Sequence, residues 1–129
     1  MDVRWIVDAM NVIGSRPDGW WNDPNRAMRR FASELDAFAI RTGRDITCVF
    51  DKDPRELPEM QALSVVIARR RGRNAADFEI ERLVAEEPDP TLLRVVTSDR
   101  RLVEKVTELG ARVVSSGRFR GDLDRGELD

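Results

Sequence analysis

The sequence has no histidine, no tyrosine and a single cysteine, Cys48. Without histidine there is no Ser-His-Asp or Cys-His triad, no imidazole general base and no His-bearing zinc site. A nuclease centre built on paired histidines is excluded as well. One cysteine can neither close an internal disulfide nor supply a four-cysteine metal site, so nothing indicates an oxidising compartment. Lysine is scarce: Lys52 and Lys105 are the only two among 22 basic residues, and 24 acidic residues balance them. That balance excludes a uniformly basic nucleic-acid surface. No run approaches the length of a membrane span, and from the opening Met-Asp-Val-Arg-Trp no signal peptide is expected, so the expected location is cytoplasmic. Catalysis, if present, must use carboxylates, hydroxyls, Arg and Lys, or a bound hard metal.

What is present suits one compact domain. The chain has 129 residues, 41% of them apolar and 36% charged. Val3–Val7 reads as a buried strand ending at Asp8, followed by a Gly/Pro/Asn/Asp-rich loop from Asn11 to Asp23. Asp23-Pro24 then starts a helix carrying Met28, Phe31, Leu35 and Phe38 on one face, and Gly43 ends it. Further strands are expected at 46–50, 63–68, 92–96 and 111–114. Asn74 reads as the N-cap of a helix bearing Phe78, Ile80 and Leu83, with Asp77 as a capping-box partner. Another helix carries Leu102, Val106 and Leu109. The alternation implies an α/β domain with a mostly parallel five-stranded sheet flanked by helices. The domain is expected over residues 1–120. The stretch from Gly117 onward, with alternating charges and three glycines, is expected to be partly ordered at most, leaving 121–129 as a charged tail.

Three of the strand segments finish alike. Asp8, Asp51 and Asp99 each fall just past an apolar run, which in a parallel sheet places them at one carboxyl edge, where α/β sheets bind ligands. Asp77 faces the same edge if its loop returns there, with Glu81 one turn further on the same helical face. Carboxylates brought together repel unless protons or a cation neutralise them. With no histidine available, a divalent ion such as Mg²⁺ or Mn²⁺ is the simplest neutraliser, and a carboxylate-held ion suits phosphate chemistry. Each aspartate also has an ordinary explanation: Asp51 as a turn residue, Asp77 and Asp99 as helix caps.

The order Val7-Asp8-Ala9-Met10-Asn11-Val12-Ile13-Gly14, Val49-Phe50-Asp51, Asn74-Ala75-Ala76-Asp77 with Ile80, and Val96-Thr97-Ser98-Asp99-Arg100 resembles the YacP-like branch of NYN domains, in the PIN-like ribonuclease superfamily. The likeness extends from about residue 3 to about residue 120. It implies a PIN-like Rossmannoid sheet and a metal-dependent ribonuclease centre, endonucleolytic in mode. By motif, Asp8, Asp51, Asp77 and Asp99 match its acidic, metal-holding positions. Asn11 would orient a carboxylate or phosphate, and Ser98 would hydrogen-bond a ligand. Three residues depart from the family pattern: Ala9 and Lys52 stand where glycine is common, and Phe78 where a second acid is common. These motivate an alternative, an RNA-binding module of the same fold that does not cleave.

The expected partner is RNA, single-stranded, with ribosome association and a monomeric or homodimeric state left open. Arg69, Arg70, Arg71 and Arg73 form the densest basic run, directly before Asp77, and arginine pairs bidentately with phosphate. Arg100, Lys52 and Arg16 are further candidates for phosphate, with Arg118, Arg120 and Arg125 as weaker ones. Trp20 and Trp21 lie in a loop, off any periodic apolar face, where one is expected to pack and the other to stay exposed for base stacking. A phospho-receiver domain fits less well, because no lysine ends the fifth strand and Met10 follows Ala9.

Overall fold

A computed structural model describes residues 2–126. The order of elements is β1 (Arg4–Asp8), α1 (Ala9–Gly14), α2 (Pro24–Thr42), β2 (Asp45–Phe50), β3 (Ser64–Ile67), α3 (Ala75–Ala85), β4 (Leu93–Val96), α4 (Arg100–Glu108), β5 (Arg112–Val114) and α5 (Ser116–Arg125). The strands form a sheet of order β3-β2-β1-β4-β5 in which every pairing is parallel. The chain runs outward from β1 through β2 to β3, then returns to the other side of β1 for β4 and β5. Strand order therefore reverses between β1 and β4, and the crevice of such a sheet opens beyond their carboxyl ends.

Period-two alternation splits the core into two layers. Val7, Cys48, Phe50 and Val96 point to the side covered by α1, α2 and α5, where Met28, Phe31, Leu35, Phe38 and Phe119 meet them. Ile6, Val49 and Val95 point the other way, onto Ile80 and Val84 of α3 and Leu102 and Val106 of α4. Strands covered on both faces must be apolar throughout, which is why they read as short unbroken runs. Each fully buried Leu or Phe contributes roughly 1.5–3 kcal/mol from apolar area alone.

The helix α2 forms as its end signals dictate. Asp23 accepts a hydrogen bond from the Arg26 N–H at 3.1 Å, Pro24 occupies the first turn, and Gly43 closes the helix at φ 72°. Asp36 on this helix accepts hydrogen bonds from the Gln61, Ala62 and Leu63 N–H groups at 2.8–3.2 Å. The donors from Ala62 and Leu63, with that of Gln61, hold its carboxyl below the usual range. The crossover from β2 to β3 contains no helix, and this carboxylate anchors its end.

Four expectations change. Residues 9–14 form the helix α1 directly after β1, burying Val12 and Ile13 rather than entering a loop at Asn11. The third strand is shorter than expected, Ser64–Ile67. Asn74 takes a left-handed conformation (φ 66°) and makes no side-chain cap bond, so the proposed capping box is absent. The segment after Ser115 is not loosely attached. Helix α5 continues to Arg125, its Ser115 cap accepting from the Arg118 N–H, and buries Phe119 and Leu123. Residues 121–125 of the expected tail belong to this helix, and 127–129 lie outside the described residues. Among the described residues, no helix is long and apolar enough to cross a membrane.

Candidate functional site

Asp8 is the last residue of β1, and Thr97 immediately follows β4, its neighbour across the switch point. Both side chains are buried, Asp8 at 5% exposure and Thr97 at 1%. The Thr97 hydroxyl donates to Asp8 Oδ2 at 2.9 Å and accepts the Asp99 N–H at 3.1 Å. Asp99 in turn caps α4, its Oδ1 accepting from the Leu102 N–H at 3.0 Å. The ordinary capping role thus holds for Asp99, alongside its place at the carboxyl edge.

The electrostatics show which acids share this edge. Burial pushes the Asp8 carboxyl up to about 7, and the charges of Asp77 and Asp99 add to the rise. The Thr97 hydrogen bond opposes it, as does the Asn11 N–H, which faces the carboxyl without closing a helix cap. Asp77, on the first turn of α3, is raised to about 6 by burial, then by the charges of Asp99 and Glu81, while Arg101 acts against the shift. Asp8, Asp77, Asp99 and Glu81 therefore share one acidic field. Asp51 follows β2 at the same edge, but its charge is not among those acting on Asp8 or Asp77. Its Oδ1 is buried with no hydrogen-bond partner among the described residues. Cys48 lies beneath, fully buried; burial, then the Asp8 charge, pushes its thiol far up and keeps it protonated and inert.

A second network positions Asn11. Its Oδ1 accepts from the Ser98 N–H at 2.8 Å and from the Ser116 hydroxyl at 2.6 Å. Ser98 Oγ accepts the Ser116 N–H at 2.9 Å. With the carbonyl end of the amide occupied twice, its NH₂ end is the one left to face a ligand. Sequence reasoning missed Thr97, Ser116 and Arg101. For Thr97 a signal existed, a Thr-Ser hydroxyl pair directly before Asp99. Ser116 gave none, since its partner Asn11 lies 105 residues away.

The donor set is all oxygen, which suits a hard divalent ion. The raised carboxyls and the orphaned Asp51 oxygen are groups that a cation would satisfy. No three described Asp, Glu or Cys side chains converge closely enough to enclose an ion. The arrangement therefore fits an ion held by one or two carboxylates plus its own waters, the usual habit of Mg²⁺.

The basic residues divide into engaged and free. Arg69 pairs with Glu79, which also binds Arg82. Arg16 is tied to Asp124 and Glu34, Arg120 donates to Ser15, and Arg125 binds Asp122. Arg70 lies over the Phe78 ring. Arg71, Arg73, Arg100 and Lys52 are exposed with no ion pair among the described residues, so Lys52 does not pair with the acidic site. In the loop ahead of α2, Trp20 packs on the core and Trp21 is 57% exposed, its ring edge-on to Trp20 at 6.1 Å. Trp20 also lines a cavity of about 230 Å³ with Arg16, Arg26 and Phe31, separate from the acidic edge.

Residues 5–128 match the YacP-like NYN domain family. The chain belongs to that family. Its fold is similar to two crystal structures of Rae1 (YacP) from Bacillus subtilis. One, a single-site mutant, is 24% identical with a TM-score of 0.76, covering 98% of this chain and 77% of that one. The other is 22% identical with a TM-score of 0.78, covering 98% and 75%. No curated protein matches. Membership carries a PIN-like, nuclease-type fold and supports an RNA-related nuclease role. Within this NYN domain, the Asp8–Thr97 pair sits where that fold's crevice opens.

Proposed function

We propose that this NYN domain is a metal-dependent ribonuclease that hydrolyses phosphodiester bonds within single-stranded RNA. The observation that carries this reading is the buried Asp8, pinned by Thr97 and sharing a field with Asp77 and Asp99 at the switch point. Burying that much like charge is costly unless a cation answers it. Asp8, Asp77 and Asp99 would hold Mg²⁺ or Mn²⁺, one or two of them directly and the rest through its waters, with Asp51 offering its buried oxygen. When bound, such an ion neutralises phosphate charge and makes water a better nucleophile.

The remaining work falls to the chain itself. Thr97 fixes which Asp8 oxygen faces the crevice. Asn11, locked by Ser98 and Ser116, aims its NH₂ at a phosphate oxygen, and Ser98 holds that lock closed. Glu81 maintains the acidic field around Asp77. Arg71, Arg73, Arg100 and Lys52 attract the strand, and Trp21 stacks a base. In the reaction, a water oxygen bonds to phosphorus and the bond to the ribose oxygen breaks. The water's proton leaves to solvent, and the released ribose oxygen ends as a hydroxyl.

The test is cleavage of labelled single-stranded RNA with Mg²⁺ or Mn²⁺, compared with EDTA and with Asp8→Asn. Internal products that vanish with EDTA and fall at least ~100-fold in Asp8→Asn are expected, in line with loss of a principal electrostatic group. Undiminished cleavage by Asp8→Asn would remove Asp8 from the chemistry. A second reading, RNA binding without cleavage, draws on Phe78 at an acidic position of the family pattern. It predicts EDTA-resistant binding with no products at long times.

A further inference from the structure

Phe78 is 37% exposed, on the first turn of α3 beside Asp77. Two guanidinium groups from separate elements lie over its ring. Arg70, from the segment after β3, is 4.5 Å from the centroid, and Arg101, from the first turn of α4, is 5.6 Å away. Both arginines are exposed, and neither forms an ion pair at contact distance with a described carboxylate, in contrast to Arg69, Arg82 and Arg16. Arg101 is also close enough for its charge to act on Asp77.

Each element of this cluster is unfavourable alone. A large apolar ring faces water, and two like charges are gathered around it. The ring's negative face offsets both, at about 0.5–1 kcal/mol per exposed cation–π contact. The outcome is a pair of guanidinium planes with restricted freedom at the rim of the acidic edge. Each presents a rigid fork of donors that matches phosphate bidentately. An acid at position 78 would pair with these arginines and compete with phosphate. Phenylalanine orients them and leaves their donors free.

We propose that Phe78 is a positioning residue that holds Arg70 and Arg101 as a two-arginine clamp for RNA phosphates beside the acidic centre. This deepens the ribonuclease reading and rests on it for the identity of the ligand. Binding by the clamp itself needs no metal and is measurable without cleavage.

The experiment follows binding of a fluorescein-labelled single-stranded RNA in EDTA by anisotropy, across a series of salt concentrations. It compares the unaltered domain with Arg70→Gln, Arg101→Gln, Phe78→Leu and Phe78→Trp. Each arginine variant is expected to weaken binding about fivefold and to reduce the slope of log K against log salt by about 0.7, the single-strand value per phosphate contact. Phe78→Leu keeps apolar volume but loses the ring face, and is expected to weaken binding at least about threefold, consistent with loss of two cation–π contacts. Phe78→Trp restores it. With the metal present, Phe78→Leu raises KM more than it lowers kcat. Because the ring is partly exposed, melting temperature stays close to that of the unaltered domain.

Binding by Phe78→Leu equal to that of the unaltered domain would overturn the clamp, and so would a Phe78→Trp variant no better than Phe78→Leu. The two readings fail separately. If Asp8→Asn abolishes cleavage while the arginine variants bind normally, the clamp alone is wrong. If cleavage survives Asp8→Asn while these variants lose affinity, the clamp stands and the assignment of the acidic centre falls.

Discussion

The Thr97 hydroxyl donates its one proton to Asp8 Oδ2 at 2.9 Å, across the point where the strand order reverses. The same oxygen accepts the Asp99 N–H at 3.1 Å. One hydroxyl thus ties the end of β1 to the start of α4. Thr97→Val keeps the shape and removes both bonds, leaving the buried Asp8 carboxyl without its side-chain donor and the half-buried Asp99 N–H unpaired. A loss of about 1–3 kcal/mol is expected in urea unfolding, with Thr97→Ser close to the unaltered domain. Since this bond lowers the Asp8 carboxyl, Thr97→Val also shifts the acidic limb of a cleavage–pH profile upward.

Asp8 makes metal-free stability depend on pH in an unusual direction. Its folded value, about 7, lies above the unfolded 3.8, so the folded state binds the extra proton. Stability from this group is fully present below about pH 4 and is lost as pH rises through 7. Asp8→Asn removes the cost of ionising the buried group while keeping an acceptor for Thr97. In EDTA near pH 8 the variant is expected to be more stable by on the order of 2–4 kcal/mol. The gain vanishes near pH 4. Thermal melts at both pH values check it, and a variant less stable at both would contradict the assigned shift.

Metal and proton compete for the same carboxyls. Asp8 and Asp77 must shed protons with folded values of about 7 and about 6 before both accept a cation. Mn²⁺ is therefore expected to raise the melting temperature clearly near pH 8 and little near pH 5, with proton release on binding. Titration calorimetry in two buffers of different ionisation enthalpy measures that release. Equal Mn²⁺ stabilisation at both pH values would separate metal binding from these two residues.

The sheet and the position of Asp8 were legible because strands buried on both sides leave continuous apolar runs with a sharp polar end. The helical signals of α2 were equally plain, since Asp23, Pro24 and Gly43 act locally. What escaped was long-range. Nothing near Ser116 announces its bond to Asn11, and nothing in the arginine run separates Arg69, held by Glu79, from Arg70, held over Phe78. The left-handed Asn74 looks in sequence like an ordinary cap, because asparagine serves both conformations. Helix α1 was read as loop from its Asn and Gly, although Val12 and Ile13 already required a place in the core.

Helix α5 hid behind its glycines and alternating charges, and its hold on the core is the strongest correction to the sequence reading. Phe119 is fully buried, its ring 5.9 Å from Trp5 and 6.0 Å from Phe38, edge-on to the latter. Leu123 lies one turn on, on the same face, the one helical signal that residues 116–125 carry. The helix also supplies Ser116 to the Asn11 network, so packing and site geometry are linked through it. Phe119→Ala is expected to cost about 3–5 kcal/mol, as for other buried Phe truncations. Ser116→Ala leaves that packing intact but removes one of the two donors that hold the Asn11 amide. It should therefore reduce cleavage far more than it lowers the melting temperature. Parallel measurement of unfolding and RNA cleavage for the two variants separates these effects. Equal loss of stability in both would show that the Asn11–Ser116 bond serves folding rather than the orientation of the amide.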